Sequence, residues 1–163
     1  LWYDYFDVAL KTNGIRAPLV RIIRKKFGAA VGMAPGGKSV VPWRQFRIKQ
    51  GELDTRQESL VFRADSDDYV FYGPYIKIDK GHYEATLEFV SLKSERDTVC
   101  SFDVFDGKKV LGKQQVHVSG NIVRGDRKAV RYSVGQDALL EFRLWCPAGV
   151  EGVIKELWIS RIR

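Results

Sequence analysis

Hydrophobic and polar residues alternate along most of the chain from Val40 to its last residue. The alternation is most regular in residues 69–89, where two such segments flank a short turn at residues 79–81. Side chains two positions apart lie on the same face of a β-strand, so this pattern indicates strands with one buried and one exposed face. The two segments around residues 79–81 are predicted to form a β-hairpin.

The same pattern predicts about nine strands in total. They are residues 41–48, 59–63, 69–78, 82–92, 98–106, 109–119, 129–134, 138–146 and 153–163. Turn-forming residues separate these segments, and no segment of helical periodicity lies between them. Such strands predict an all-β fold of two facing antiparallel sheets, a jelly-roll-like β-sandwich. A parallel α/β fold is excluded because its strands need crossover helices.

Alternation also predicts which side chains fill the core. The predicted inward-facing residues are Tyr83, Ala85, Leu87, Phe89, Cys100, Phe102, Val104, Val130, Tyr132, Val134, Leu140, Phe142, Leu144, Cys146, Leu157 and Ile159. The opposite faces carry Glu84, Thr86, Glu88, Ser101, Asp103, Arg131, Ser133, Glu141, Arg143, Trp145, Trp158 and Ser160. Outward tryptophans beside charged groups are unusual enough to suggest a binding site.

We hypothesise that this outward set binds carbohydrate. Trp145 and Trp158, which the pattern places on neighbouring strands, would stack on the apolar faces of sugar rings. Arg143 and Glu141 would make charge-assisted hydrogen bonds to the sugar hydroxyl groups. The alternative is that each tryptophan lies beneath the N-terminal segment or packs at a sheet edge.

An irregularity is predicted at Gly73 and Pro74, inside the segment of residues 69–78. Glycine permits backbone conformations denied to other residues, and proline cannot donate a hydrogen bond to a sheet. The pair therefore indicates a bulge or an edge position. Tyr72 and Tyr75 flank it and are candidate ligand contacts, with core or edge packing as the alternative.

The N-terminal third differs from the rest in charge. Residues 1–50 have a net charge of +8, whereas residues 51–163 have a net charge of −1. Residues 16–27 (RAPLVRIIRKKF) combine basic residues with apolar residues at helical spacing, which predicts a short amphipathic helix. We divide the chain into a helical appendage, residues 1–37, and a β-sandwich domain, residues 38–163, because residues 28–37 are rich in glycine.

The partner of this basic segment is left open by the sequence. Residues 16–27 could attach to an anionic membrane surface, contact an adjacent catalytic domain or pack as a linker helix. Nucleic-acid binding is not predicted for the strand domain, because the excess positive charge lies outside it. The chain shows no export signal, so we expect a cytoplasmic location, with the inner face of a membrane as an alternative.

Candidates for chemistry are few. Asp65, Asp67 and Asp68 could hold calcium but lack the longer loop pattern of a calcium site, so solvated turn carboxylates are the alternative. The two histidines, His82 and His117, are too few to build a zinc or catalytic site. We predict no catalytic residue, no metal site and no cofactor, and we do not expect the isolated domain to be an enzyme.

Cys100 and Cys146 both occupy predicted inward positions. Buried free thiols behave as small apolar groups. The two cysteines could pair across the sandwich, but the absence of an export signal favours the reduced state.

Four short runs carry a resemblance to a known kind of domain. They are FYGPYI (71–76), GHYEATLEF (81–89), FDV (102–104) and LEFRLW (140–145). Residues 40–163 resemble sugar-binding β-sandwich domains appended to bacterial surface-polysaccharide glycosyltransferases and related assembly proteins. The resemblance implies a non-catalytic module that recognises glycan or docks a neighbouring catalytic domain, in a protein that builds O-antigen or capsule polysaccharide.

Three classes of function follow from the sequence, in order of preference. The first is a carbohydrate-binding module that uses an aromatic sheet face. The second is a structural module that docks catalytic domains or forms oligomers, in which the tryptophans are covered by protein. The third is a unit that binds a membrane surface or nucleic acid through the basic segment, with strong dependence on salt.

Overall fold

The computed structural model describes residues 33–120 and 123–162, and in this part the chain is almost entirely β-strand. The strands are β1 (Lys38–Val41), β2 (Arg47–Ile48), β3 (Gly51–Asp54), β4 (Ser59–Arg63), β5 (Asp68–Tyr72), β6 (Pro74–Ile78), β7 (Gly81–Ser94), β8 (Thr98–Phe105), β9 (Val110–Val118), β10 (Val123–Val134), β11 (Ala138–Cys146) and β12 (Val150–Arg161). A short 3-10 helix, Trp43–Gln45, separates β1 from β2. The predicted helix at residues 16–27 lies outside the described residues.

The strands form two six-stranded antiparallel sheets that face each other. Sheet A has the order β10-β7-β12-β4-β3, with β1 also paired to β12. Sheet B has the order β2-β5-β11-β8-β9, with β6 also paired to β11. The predicted all-β sandwich is therefore confirmed.

The predicted hairpin around residues 79–81 is wrong. Strand β6 pairs with β11 in sheet B, whereas β7 pairs with β10 and β12 in sheet A. The turn at residues 79–81 thus carries the chain from one sheet to the other. Alternation and turn residues are local features of the sequence. They are the same in a hairpin and in a crossing between sheets, so they do not show which strands pair.

Two other strand predictions need correction. The segment of residues 41–48 is not one strand, because the 3-10 helix separates β1 from β2. Strand β3, which forms a hairpin with β4, was not predicted. Leu53 is its only large apolar residue, so the strand shows no alternation.

The predicted core is confirmed. Every side chain of the predicted inward set is buried, and the largest that are completely enclosed include Tyr83, Phe89, Phe102 and Phe142. The inner faces of the two sheets interdigitate there, and burial of this apolar surface is the main force that holds the sandwich together.

A stacked pair of tyrosines in the core contains one buried hydroxyl with a hydrogen-bond partner and one without. The rings of Tyr83 and Tyr132 lie 5.8 Å apart. The Tyr83 hydroxyl donates a hydrogen bond to the carbonyl of Asp79 at 2.9 Å, whereas the buried Tyr132 hydroxyl has no partner among the described residues. A buried hydroxyl without a partner costs stability, because it has lost its hydrogen bonds to water.

Tyr132→Phe is therefore expected to raise the free energy of unfolding by about 1 kcal/mol, since it removes only the unpartnered hydroxyl. Chemical denaturation monitored by circular dichroism measures the change. Tyr83→Phe is the matched control and is expected to lower the free energy of unfolding by about 1 kcal/mol, because it removes a satisfied hydroxyl. A loss of stability in Tyr132→Phe would contradict the assignment.

The outermost strands β9 of sheet B and β10 of sheet A lie against each other along one side of the sandwich. Gly112 makes this approach possible. A Cβ atom at this position would lie 2.6 Å from Cγ1 of Val130 and 2.7 Å from the carbonyl oxygen of Arg131. Only glycine fits such a contact without displacing a neighbour.

Residues 33–37 are attached to the end of β12. The amide of Gly36 donates to the carbonyl of Arg161 at 2.8 Å, and the Arg161 amide donates to the carbonyl of Gly37 at 3.1 Å. The division into an appendage and a sandwich domain at residue 37 remains a prediction. In the described part of the chain, no helix has the length and apolar character needed to cross a membrane.

Candidate functional site

The outer face of sheet B gathers most of the predicted site residues. Its half-exposed or exposed aromatic side chains lie beside one buried ion pair and one further carboxylate. We call this surface the aromatic face, and its members are Tyr69, Tyr72, Tyr75, Asp103, Phe105, Glu141, Arg143 and Trp145.

An ion pair between Arg143 of β11 and Asp103 of β8 forms the centre of this face. The two residues are direct partners in the sheet, and Nε and Nη2 of Arg143 donate to the two carboxylate oxygens at 2.7 and 3.2 Å. The two side chains are only 14% and 10% exposed. A two-point contact of this kind is both strong and directional.

Aromatic rings cover the guanidinium group. The Cζ atom of Arg143 lies 4.1 Å from the ring centre of Phe105 and 5.5 Å from that of Tyr69. Burial by itself lowers the pKa of Arg143, but the hydrogen bonds and charge of Asp103 outweigh this effect and raise the pKa above its usual value. The guanidinium therefore keeps its charge and its fixed orientation.

Trp145 lies next to this ion pair, at the end of β11. Its neighbours in the sheet are Tyr69 of β5 and Ser101 of β8. The buried hydroxyl of Ser101 has no hydrogen-bond partner among the described residues. The half-exposed indole and the adjacent tyrosine together offer an apolar platform beside the Arg143–Asp103 pair.

The predicted irregularity at Gly73 and Pro74 is present. The Gly73–Pro74 peptide bond is cis, and Tyr75 has a φ of 67°, a left-handed conformation that is rare for a bulky residue. Tyr75 is 41% exposed. Non-glycine residues in this conformation concentrate at binding sites, where the surroundings hold them in place.

The two tyrosines that flank this irregularity belong to the aromatic face. The ring of Tyr72 lies 6.5 Å from that of Tyr69. Burial, followed by the charge of Glu141 and a hydrogen bond to it, raises the pKa of Tyr75. Its hydroxyl therefore stays protonated, and its oxygen remains available as an acceptor.

The expectation that Trp145 and Trp158 share a face is wrong. Trp145 lies on β11 in sheet B and Trp158 on β12 in sheet A, so the two indoles lie on opposite outer faces of the sandwich. The chain crosses between the sheets at residues 147–149, and alternation within each strand does not reveal this. A role for Trp158 in binding remains a prediction, and Trp158 would have to act without Trp145.

Trp158 is also largely covered, at 8% exposure. Nζ of Lys38 lies 3.8 Å from its ring centre and Cζ of Arg127 lies 5.4 Å from it. Both cations are paired with carboxylates, those of Glu156 and Glu88 at 3.5 Å. The outer face of sheet A is thus a network of ion pairs above a buried indole, and we call it the salt-bridge face.

Two of the carboxylates of residues 65–68 are held by other parts of the chain. Asp67 accepts a hydrogen bond from the amide of Ala148 at 2.8 Å, and Asp68 is paired with Lys49. Among the described residues no group of three or more His, Cys, Asp or Glu side chains is arranged to hold a metal ion.

Sequence reasoning missed two members of the aromatic face, Tyr69 and Phe105. The outward position of Phe105 follows from the alternation of β8, whereas that of Tyr69 does not.

No protein-family model and no curated protein matches this chain. Solved structures do match it. The C-terminal CBM6 of LamC, a marine laminarinase from Zobellia galactanivorans, has a TM-score of 0.50 at 15% identity, over 77% of this chain and 100% of that one. This likeness shows that the two share a fold.

Two further matches are weaker. The second N-terminal cellulose-binding domain of β-1,4-glucanase C from Cellulomonas fimi has a TM-score of 0.47 at 10% identity, over 78% of this chain and 87% of that one. A family 29 carbohydrate-binding module from Piromyces equi has a TM-score of 0.43 at 14% identity, over 76% of this chain and 89% of that one.

Proposed function

We propose that this chain is a non-catalytic glycan-binding domain and that the aromatic face is its binding surface. The observation that carries the proposal is the buried Arg143–Asp103 pair surrounded by rings. Flat aromatic side chains stack on the apolar faces of sugar rings, and oriented charged groups bind the hydroxyls. The fold shared with the CBM6 of LamC is compatible with this function.

The polar groups of the face suit hydroxyl ligands in particular. Two of the five N–H groups of the Arg143 guanidinium are used on Asp103, which leaves donors for a ligand. The exposed Tyr75 hydroxyl, whose proton is donated to Glu141, can accept a hydrogen bond from a ligand through its oxygen. A ligand with many hydroxyls would satisfy these groups at once, whereas a purely apolar partner would leave them unpaired.

The biological setting belongs to the same proposal. We place the domain in a bacterial protein that builds surface polysaccharide of the O-antigen or capsule type, next to a glycosyltransferase domain, with residues 16–27 as the contact to that domain or to a membrane. The support is the sequence resemblance carried by residues 71–76, 81–89, 102–104 and 140–145. Cytoplasmic placement is part of the same proposal.

The proposal predicts that Trp145→Ala weakens glycan affinity about tenfold, because one stacking platform is lost. Trp158→Ala is the matched control and should leave the affinity unchanged, since Trp158 lies on the salt-bridge face. An oligosaccharide array identifies a ligand for the full chain, and isothermal titration then measures the affinity of each variant. Thermal unfolding checks that both variants are folded.

Two outcomes would contradict the proposal. Loss of affinity in Trp158→Ala but not in Trp145→Ala would move the site to the salt-bridge face. Absence of binding to every neutral and acidic oligosaccharide on the array would remove the glycan function. Docking of a neighbouring protein domain would then be the better explanation of the aromatic face.

A further inference from the structure

Cys100 and Cys146 were expected to face each other across the sandwich if they met at all. They instead belong to neighbouring strands of one sheet. The β8–β11 register pairs Phe102 with Leu144 and Ser101 with Trp145. The next pair in that antiparallel register is Cys100 with Cys146, at the end of β11.

The register places the two thiols beside each other in the core. Both residues are buried, with 1% and 0% exposure, and both are free. Burial raises the pKa of Cys146 well above its usual value, and a hydrogen bond to the Cys100 thiol raises it further. Directly opposed residues of an antiparallel pair have Cα atoms roughly 4.5–5.5 Å apart, which lies within the range that a disulfide spans.

We propose that Cys100 and Cys146 form a modification site, at which a disulfide oxidant such as glutathione disulfide closes a cross-strand disulfide between β8 and β11. One cysteine thiolate attacks a sulfur of glutathione disulfide and releases one glutathione thiolate. The second cysteine thiolate attacks the protein sulfur of this mixed disulfide and releases the other glutathione. The two protein thiols lose two protons and two electrons, and glutathione disulfide becomes two glutathione molecules.

The position of the pair decides when this reaction takes place. Glutathione disulfide cannot reach thiols in a closed core, and a buried thiol with a raised pKa supplies little thiolate. Oxidation therefore occurs while the chain folds, or when the ends of β8 and β11 open. The closed disulfide would lie directly behind Ser101 and Trp145 and fix the spacing of the two strands that carry the Arg143–Asp103 pair.

The test uses the full chain. The reduced protein is unfolded in guanidinium chloride, refolded in buffers of varied glutathione-to-glutathione-disulfide ratio, and then alkylated under denaturing conditions. Intact mass counts the free thiols, and peptide mapping locates any disulfide. We expect a monomer about 2 Da lighter that takes up no alkylating agent, with the disulfide between Cys100 and Cys146.

The oxidised monomer is also expected to melt roughly 5–10 °C above the reduced protein, because the disulfide closes a loop of about 45 residues in the unfolded chain. Cys100→Ala is the control, and its melting temperature should not depend on the oxidant. Retention of two alkylatable thiols at every ratio, or formation of only glutathione adducts and linked dimers, would overturn the proposal. A disulfide that lowers the melting temperature would do so as well, because the strand spacing would then not accept it.

Discussion

Replacing Arg143 by alanine is expected to lower the free energy of unfolding by about 2–3 kcal/mol, because it leaves a largely buried carboxylate without its partner. Asp103 is 10% exposed, so removal of the guanidinium would leave a carboxylate in the sheet surface without its two hydrogen bonds. Denaturant titration followed by circular dichroism measures the change.

A second arginine provides a matched control. Arg131 is paired with Glu84 across β10 and β7 at 2.8 Å, but its side chain is 80% exposed. Exposed ion pairs contribute little, so Arg131→Ala should cost less than about 1 kcal/mol. Equal losses in the two variants would show that burial of the Arg143–Asp103 pair is not what makes it important.

A double variant separates the loss of a charge from the loss of packing. Arg143→Met combined with Asp103→Leu removes both charges and keeps apolar volume, so most of the lost stability should return. The same variant should not regain glycan affinity, because the oriented donors are absent. Recovery of both properties would argue that the ion pair does not contact the ligand.

The second large effect is expected at Gly112. Gly112→Ala should lower the free energy of unfolding by about 2–3 kcal/mol, because the new methyl group would overlap the backbone carbonyl of Arg131 and a methyl group of Val130. Strand β9 would have to move away from β10. Denaturant titration measures the loss.

Gly135→Ala is the control for this variant. No heavy atom lies within 4 Å of the position that its Cβ would take. The free energy of unfolding should therefore change by less than about 0.5 kcal/mol. A similar loss at both positions would show that the cost arises from the backbone of glycine and not from the contact between the strands.

The sequence was sufficient for the fold class and the core because both depend on local alternation. Leu140, Phe142 and Leu144 are buried as alternation requires, and Glu141 and Arg143 lie outside. The sheet to which each strand belongs depends on contacts between distant segments. The hairpin around residues 79–81 and the shared face of the two tryptophans were both predicted wrongly for this reason.

Tyr69 shows why part of the candidate site was missed. It is two residues from Phe71, which is completely buried, so strict alternation would place Tyr69 in the core as well. The register between β5 and β11 shifts between Leu144 and Trp145 and pairs Tyr69 with the outward Trp145. A bulge of this kind reverses the expected direction of a side chain without a clear signal in the sequence.

The contact of β9 with β10 has a consequence for behaviour at high concentration. The outermost strand of a sheet presents unpaired amide and carbonyl groups that can recruit a strand from another molecule. Here the outermost strands of the two sheets cover each other on one side of the sandwich. At high concentration, fewer unpaired backbone groups are therefore exposed to pair with a strand of another molecule and start a fibril. This protection depends on the absence of a side chain at Gly112.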